Sequence, residues 1–392
     1  MKNRTLPDKL IIFLLSLSII LKPVYLWKSG IPQIADILLM FSFILFYITF
    51  GLKTHPQMNK LINIQIIFIY YILLANLCWE LILNGGLSVL RISAYYIYNF
   101  FVCLFAMMLH HKYNKRLFHL VYNAVFLSVI LQMATFMLQG GFTGHRSVAY
   151  FNNPNQLGYH SLLCTALMLF LSQRTAVRKI TLILGLFFTG ILVMASLSKA
   201  AIIPYFVMLL YYILIYKKKN RCIVRIMFFI VVAFFLLSLL LLPDLYILKQ
   251  GTLLYSVNHR ISLIGTDTDD SLAGRGYTRL LDYLAYLPVG IGEGAYYRFE
   301  PPGEFHSTLG NLLLSYGIIG LGCFLMMLYI VLKKNNYQEL YLFLCILLYG
   351  LTHNGIRNPF LWMLLGLVYA DSICRSDEPS KLPITADALG GE

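Results

Sequence analysis

The sequence predicts an all-α, polytopic integral membrane protein of ten to twelve transmembrane helices, with one long outer loop containing short amphipathic helices. Three observations carry this. Hydrophobic residues make up 59% of the 392 positions and charged residues 12%, against about 25% charged in a soluble globular domain. The mean hydropathy is +0.72, more apolar surface than one core of this length hides from water. The apolar runs reach the roughly 20 residues that cross a ~30 Å hydrocarbon core, and basic residues gather in alternate connections between them.

The elements follow in order. Met1–Lys9 is basic and Leu10–Leu21 apolar, as in a signal peptide, but Lys22-Pro23 stands where a small-residue cleavage site belongs. Leu10–Trp27 is therefore expected to be a retained first span. Further spans are expected near 34–51, 61–83, 89–109, 117–138, 158–172, 180–196, 200–216, 223–243, 307–332, 338–351 and 358–371. The chain thus divides into helices one to nine (1–243), a loop (244–306), helices ten to twelve (307–371) and a tail rich in Asp, Ser, Pro, Gly and Glu (372–392) that is expected to be disordered. No internal repeat is evident.

Orientation comes from Lys and Arg. With the N-terminus in the cytoplasm, 20 of the 31 basic residues fall in inner segments; of the other 11, five lie in the long loop, which barely counts. Both termini are expected to be cytoplasmic, with Asp244–His306 outside. The net charge of +14 is then a matter of topology and not a nucleic-acid surface. Seven cysteines are scattered without metal-ligand spacing and outside the predicted outer loops, so neither a disulfide nor a zinc site is expected.

Outer cations are informative because they are costly beside hydrocarbon and need partners. Those of interest are Arg91, Arg146, Lys199, Arg275, Arg279 and Arg357. Arg91, Lys199 and Arg357 have few acidic neighbours in sequence, which leaves an anionic ligand or simple snorkelling at a helix end. Arginine meets phosphate through two parallel hydrogen bonds. The long loop carries five basic against eight acidic residues, so specific placement rather than a general basic patch is implied.

Within that loop Tyr277–Leu287 is expected to form a short amphipathic helix, with Leu280, Tyr283, Leu284 and Leu287 on one face and Pro288 as its stop. Arg275 and Arg279, four apart, would share a face and point toward a headgroup. Gly290, Gly292 and Gly294 then permit close backbone approach or positive φ; no βαβ unit surrounds them, so they are not a dinucleotide fingerprint. His306, at the start of the next span, can exchange a proton near neutral pH; the plainer alternative is a capping role. Gly317 and Gly320 suggest close helix packing. Asn152 and Asn155, in an amide-rich turn after His145 and Arg146, suit sugar hydroxyls, or serve an ordinary Asx/Pro turn. His353 and Arg357 lie in a Gly/Pro-broken polar stretch of the kind that lines a cavity. Asp267, Asp269 and Asp270 could hold a hard cation, although a solvated loop tip explains them as well.

Taken in order, Phe151-Asn152-Asn153-Pro154-Asn155-Gln156-Leu157-Gly158, Ser196-Leu197-Ser198-Lys199, Gly274-Arg275-Gly276-Tyr277-Thr278-Arg279, the alternating Gly290, Gly292 and Gly294, His306-Ser307 and Ser315-Tyr316-Gly317 resemble the O-antigen polymerase and ligase superfamily. The resemblance covers about residues 140–360 and is greatest to Wzy-type O-antigen and exopolysaccharide polymerases. It implies a metal-independent, inverting membrane glycosyltransferase of the bacterial cytoplasmic membrane, with no cofactor. The implied donor is a glycan on undecaprenyl diphosphate and the acceptor a sugar hydroxyl on a second lipid-linked repeat unit; a chain-length regulator and a flippase are the implied protein partners.

By the same resemblance, Arg275 or Arg279 corresponds to the loop arginine that holds diphosphate and His306 to the histidine at the reaction centre. Arg91, Arg146, Asn152, Asn155, Lys199, His353 and Arg357 are the expected substrate-binding residues. The ligase branch usually carries Arg after its Ser-x-Ser pattern; Lys199 keeps the charge without the bidentate fork. Two alternatives remain: a ligase that uses lipid A–core as acceptor, and a flippase of lipid-linked oligosaccharide, which should show two related halves.

Overall fold

The structure is a computed structural model; it describes residues 6–28, 30–52, 54–141, 146–216, 271–300 and 302–377. Among them it is all-α. The helices are α1 (Leu6–Leu21), α2 (Ile34–Phe50), α3 (Asn59–Leu83), α4 (Ser93–Tyr113), α5 (Lys115–Leu138), α6 (Pro154–Arg174), α7 (Lys179–Ser196) and α8 (Lys199–Tyr216). After the gap come the one-turn α9 (Arg279–Asp282), α10 (Thr308–Lys334), α11 (Leu340–Gly350) and α12 (Pro359–Asp377). Five segments, containing α3, α4, α5, α7 and α10, are long and apolar enough to cross a membrane, and α2, α8 and α11 are shorter apolar helices. The chain is a multi-pass membrane protein. Eleven of the expected spans fall on these helices; the one near 223–243 lies outside the described residues, as do Asp267, Asp269 and Asp270.

The bundle is built around α6 and α12. Every residue of α6 from Leu157 to Leu171 is buried, and so is every residue of α12 from Pro359 to Ile373. Helix α6 packs on α5, α7 and α8, and α12 on α4, α6 and α10. A helix enclosed by other helices has no lipid-facing stripe, so it tolerates polar side chains such as His160, Ser161 and Thr165. Small residues set the spacing: a Cβ on Gly366 would lie 2.6 Å from the Cys103 carbonyl oxygen of α4, so these backbones approach as only glycine allows.

Two features differ from the sequence expectation. Tyr277–Leu287 is not one helix. A turn over residues 272–278 leads into α9, Tyr283 leaves helical geometry (φ −115°), and a 3₁₀ turn covers Leu284–Tyr286. Leu284 is exposed, so the expected apolar face is not continuous. Helix α10 is broken at Gly317 (φ 64°). The chain just before and through the glycine-rich stretch fills that break: Ile318 N–H donates to Leu287 O (2.8 Å), while Ile291 N–H and Gly292 N–H donate to Leu314 O (3.0 Å) and Ser315 O (2.8 Å). The groups freed by the kink are thus re-bonded, as backbone in a bundle requires.

The three alternating glycines explain how the loop gets this close. All have positive φ. A Cβ would stand 2.5 Å from Tyr316 N at Gly290, 2.9 Å from Trp79 Cβ at Gly292 and 2.6 Å from Ser88 O at Gly294.

Candidate active site

One end of the bundle collects the start of α6, the end of α11, the 351–358 connection, the 272–306 loop and the turn between α7 and α8. The connection after α11 is its centre. Tyr277 Oη donates to Leu351 O and to Ser307 Oγ (2.9 Å for the latter). Arg275 Nη1 donates to Thr352 O. Thr308 Oγ1 donates to His353 O (3.1 Å) and accepts from Gly355 N–H (2.9 Å). These bonds tie the loop and α10 to a segment that glycine and proline keep from being helical.

Arg146 and Tyr349 both bond to Asn155, and Arg275 is bonded three residues past Tyr349, at Thr352 O. Arg146 donates from Nη2 to Asn155 Oδ1 (2.5 Å) and from Nε to Ser196 O (3.1 Å). The Asn155 carbonyl in turn accepts from Tyr349 Oη (3.1 Å). Lys199 opens α8 three residues past Ser196, after Leu197 makes the left-handed turn (φ 48°). His353 stacks on Tyr349 with ring centroids 5.1 Å apart, and Tyr159 also stacks on Tyr349, at 4.3 Å. His306 is exposed, and its N–H donates to the Arg275 carbonyl (3.2 Å). Arg146, Asn155, Lys199, Arg275, His306, His353 and Arg357 are therefore brought to one end of the molecule from segments far apart in sequence.

Several expected roles change in detail. Arg275 and Arg279 do not share a helix face. Arg279 is buried, stacks on Phe299 (4.7 Å) and donates to Gly303 O (2.8 Å), so its guanidinium organises the loop instead of pointing outward. Arg357 has acidic partners after all: Glu293, and Glu304 at 3.0 Å. They lie 64 and 53 positions away, which is why neighbouring sequence did not reveal them. Asn152 reaches the α1–α2 connection through Trp27 O (3.0 Å), and Asn155 holds Arg146; both amides serve the scaffold here. Arg91 is exposed on the 3₁₀ turn before α4.

The residue that sequence reasoning missed is Glu293. Its side chain is fully buried and accepts from Tyr96 Oη (2.6 Å), Tyr316 Oη (3.0 Å) and Arg357 Nη2. Its own N–H donates to Asn76 Oδ1 (3.0 Å), and Asn76 Nδ2 donates to Ser93 Oγ (2.9 Å). Burial pushes the Glu293 carboxyl up, but Arg357 and the Tyr96 hydroxyl more than offset this and hold it below the ordinary carboxylate value. The available signal was Asn76, a polar residue inside an apolar span.

Residues 184–325 match the family model of the O-antigen ligase, Wzy_C. This chain carries an O-antigen ligase family domain. Members of that family are membrane enzymes that transfer glycans. The O-antigen ligase family domain begins within α7 and ends within α10, so it includes Lys199, Arg275, Arg279, the three alternating glycines and His306. Arg146, Asn155, His353 and Arg357 lie outside it in sequence and join it through the contacts above. No curated protein matches the chain.

Proposed function

We propose that the chain polymerises undecaprenyl-diphosphate-linked oligosaccharide repeat units of O-antigen, capsule or exopolysaccharide on the outer face of the cytoplasmic membrane. The carrying observation is the convergence of Arg146 (through Asn155), Arg275 and, through the Arg275 carbonyl, exposed His306 on the Tyr349–Arg357 segment. The asymmetry of Lys and Arg assigns this end to the outer side.

The chemistry needs little else. The acceptor oxygen bonds to the anomeric carbon of the donor as the carbon–oxygen bond to diphosphate breaks, its electron pair leaving with the lipid diphosphate. Arg275, Arg146 and Lys199 stabilise that charge where water is scarce. His306 takes the acceptor hydroxyl proton. Energy comes from the glycosyl diphosphate, so neither nucleotide nor metal enters. Arg275 is half-buried where Arg279 is buried, which favours Arg275 as the diphosphate ligand.

The family model's own description favours a second reading, a ligase that moves the finished glycan to lipid A–core. The glycan ladder separates the two on cells whose only copy carries Arg275→Ala or His306→Ala at normal membrane levels. A polymerase leaves single repeats on the surface; a ligase leaves none attached. Loss of a general base lowers turnover by about 10²–10⁴-fold, so His306→Ala that extends chains at the wild-type rate overturns the assignment.

A further inference from the structure

Two sets of charged groups meet at the site end. Arg146 is held by Asn155 Oδ1 and Ser196 O, and Arg275 by Thr352 O. Arg357 is shared by two carboxylates, Glu293 and Glu304. Arg298 and Arg279 donate to Gly292 O (2.7 Å) and Gly303 O (2.8 Å), the carbonyls just before those carboxylates, so access and not net charge distinguishes the two acids.

The two carboxylates are unequal. Glu293 is enclosed and its oxygens are taken by two tyrosines and Arg357. Glu304 keeps 32% of its side chain exposed. It is held from behind by Arg357 at 3.0 Å and by Asn354 Nδ2 at 2.9 Å. It stands two residues before His306, whose N–H is fixed on Arg275 O. Arg357 and Asn354 both meet its Oε1, so the partly exposed carboxylate keeps acceptor capacity two residues before the proposed base. Such a group repels diphosphate but accepts strongly from a sugar hydroxyl, because a bond to an ionised acceptor is charge-assisted.

Glu293 has no comparable access. A buried ion pair adds little that well-packed apolar side chains would not supply. What it does supply is geometry: donors from α4 and α10 lock the carboxylate, and the carboxylate locks Arg357.

We propose that Glu304 binds an acceptor-sugar hydroxyl beside His306, and that Glu293, acting through Arg357, is the positioning residue that holds Glu304 in place. The proposal rests on the glycosyl-transfer function above and deepens it by naming the group that holds the acceptor.

The test uses the full chain in nanodiscs, with the lipid-linked repeat unit as donor and the same oligosaccharide as an alkyl glycoside acceptor, the two titrated separately. Glu304→Gln should raise the acceptor KM about tenfold or more and leave the donor KM unchanged, with Glu304→Asp recovering part of the loss. Glu293→Gln should move the acceptor KM in the same direction, and the double variant should be little worse than Glu304→Gln alone. An unchanged acceptor KM in Glu304→Gln, or a rise in the donor KM instead, overturns the proposal. Glu293→Gln that lowers only the melting temperature overturns the positioning role. Equilibrium binding of the acceptor glycoside, which needs no turnover, keeps this test apart from the function itself. Weaker binding by Glu304→Gln supports the inference even if the wild type transfers nothing, and equal binding by the two overturns it.

Discussion

Two ion clusters sit at opposite ends of the same three helices, α6, α11 and α12. At the site end Arg357 serves Glu293 and Glu304, two acids on one base. At the other end Arg174 pairs with Glu339 and, at 2.8 Å, with Asp371, which Arg375 also meets at 3.0 Å. That second cluster is enclosed, with both of its carboxylates buried. It closes on itself by joining the end of α6, the start of α11 and the last turns of α12. The site cluster does not close: it leaves an anionic group partly open, on irregular backbone, beside His306. The difference teaches that burial of charge alone does not mark a site. A network whose carboxylates are all enclosed pins helices together, whereas one with an open member has something left to bind.

The sharpest way to break that comparison is Arg174→Ala. Removing one base takes the ion-pair partner from buried Glu339 and leaves Asp371 to Arg375, and loss of one partner of a buried pair costs about 3–5 kcal/mol. Thermal unfolding in detergent should show the loss, while glycan transfer per folded molecule stays near wild type. If transfer falls with the fold intact, the far cluster is functional and the contrast fails.

Gly290→Ala is expected to cost less, about 1–3 kcal/mol, because the residue combines positive φ with a Cβ 2.5 Å from Tyr316 N. Here transfer should fall together with stability, since the displaced stretch carries Glu293. A normal ladder from Gly290→Ala would show that the seating of the loop on α10 does not matter to the site.

The smallest effect is one of pH. The folded Glu293 carboxyl sits below its ordinary value of 4.5. Its pairing therefore contributes fully above about pH 4.5 and is lost as the pH falls through the lower, folded value. Wild-type melting should drop more steeply than that of Glu293→Gln on going from neutral pH to about pH 3.5. Parallel curves would mean that Glu293 does not hold its charge.

Much of the molecule was legible beforehand. Helix positions followed from apolar runs, because a bilayer imposes length and composition directly on each span. The close approach at Gly290, Gly292 and Gly294 was legible because only glycine takes those conformations under those contacts. The 277–287 segment departs from the helix that its apolar spacing predicts, because Tyr277, packed on Phe305, and Tyr283, packed on Phe299, pull the chain into separate turns. Local periodicity does not encode such tertiary competition.

By itself, then, the sequence determined an all-α multi-pass membrane chain, the segments that carry chemistry, and a likeness to a glycan-transferring family. Only the tertiary structure decided which charges meet. It turned Arg279 inward onto Phe299, gave Arg357 its two carboxylates, and made Glu293 the buried centre of that cluster. The physical reason is range: hydropathy acts residue by residue along the chain, whereas an ion pair depends on atoms a few ångströms apart that the chain brings together from more than fifty positions away.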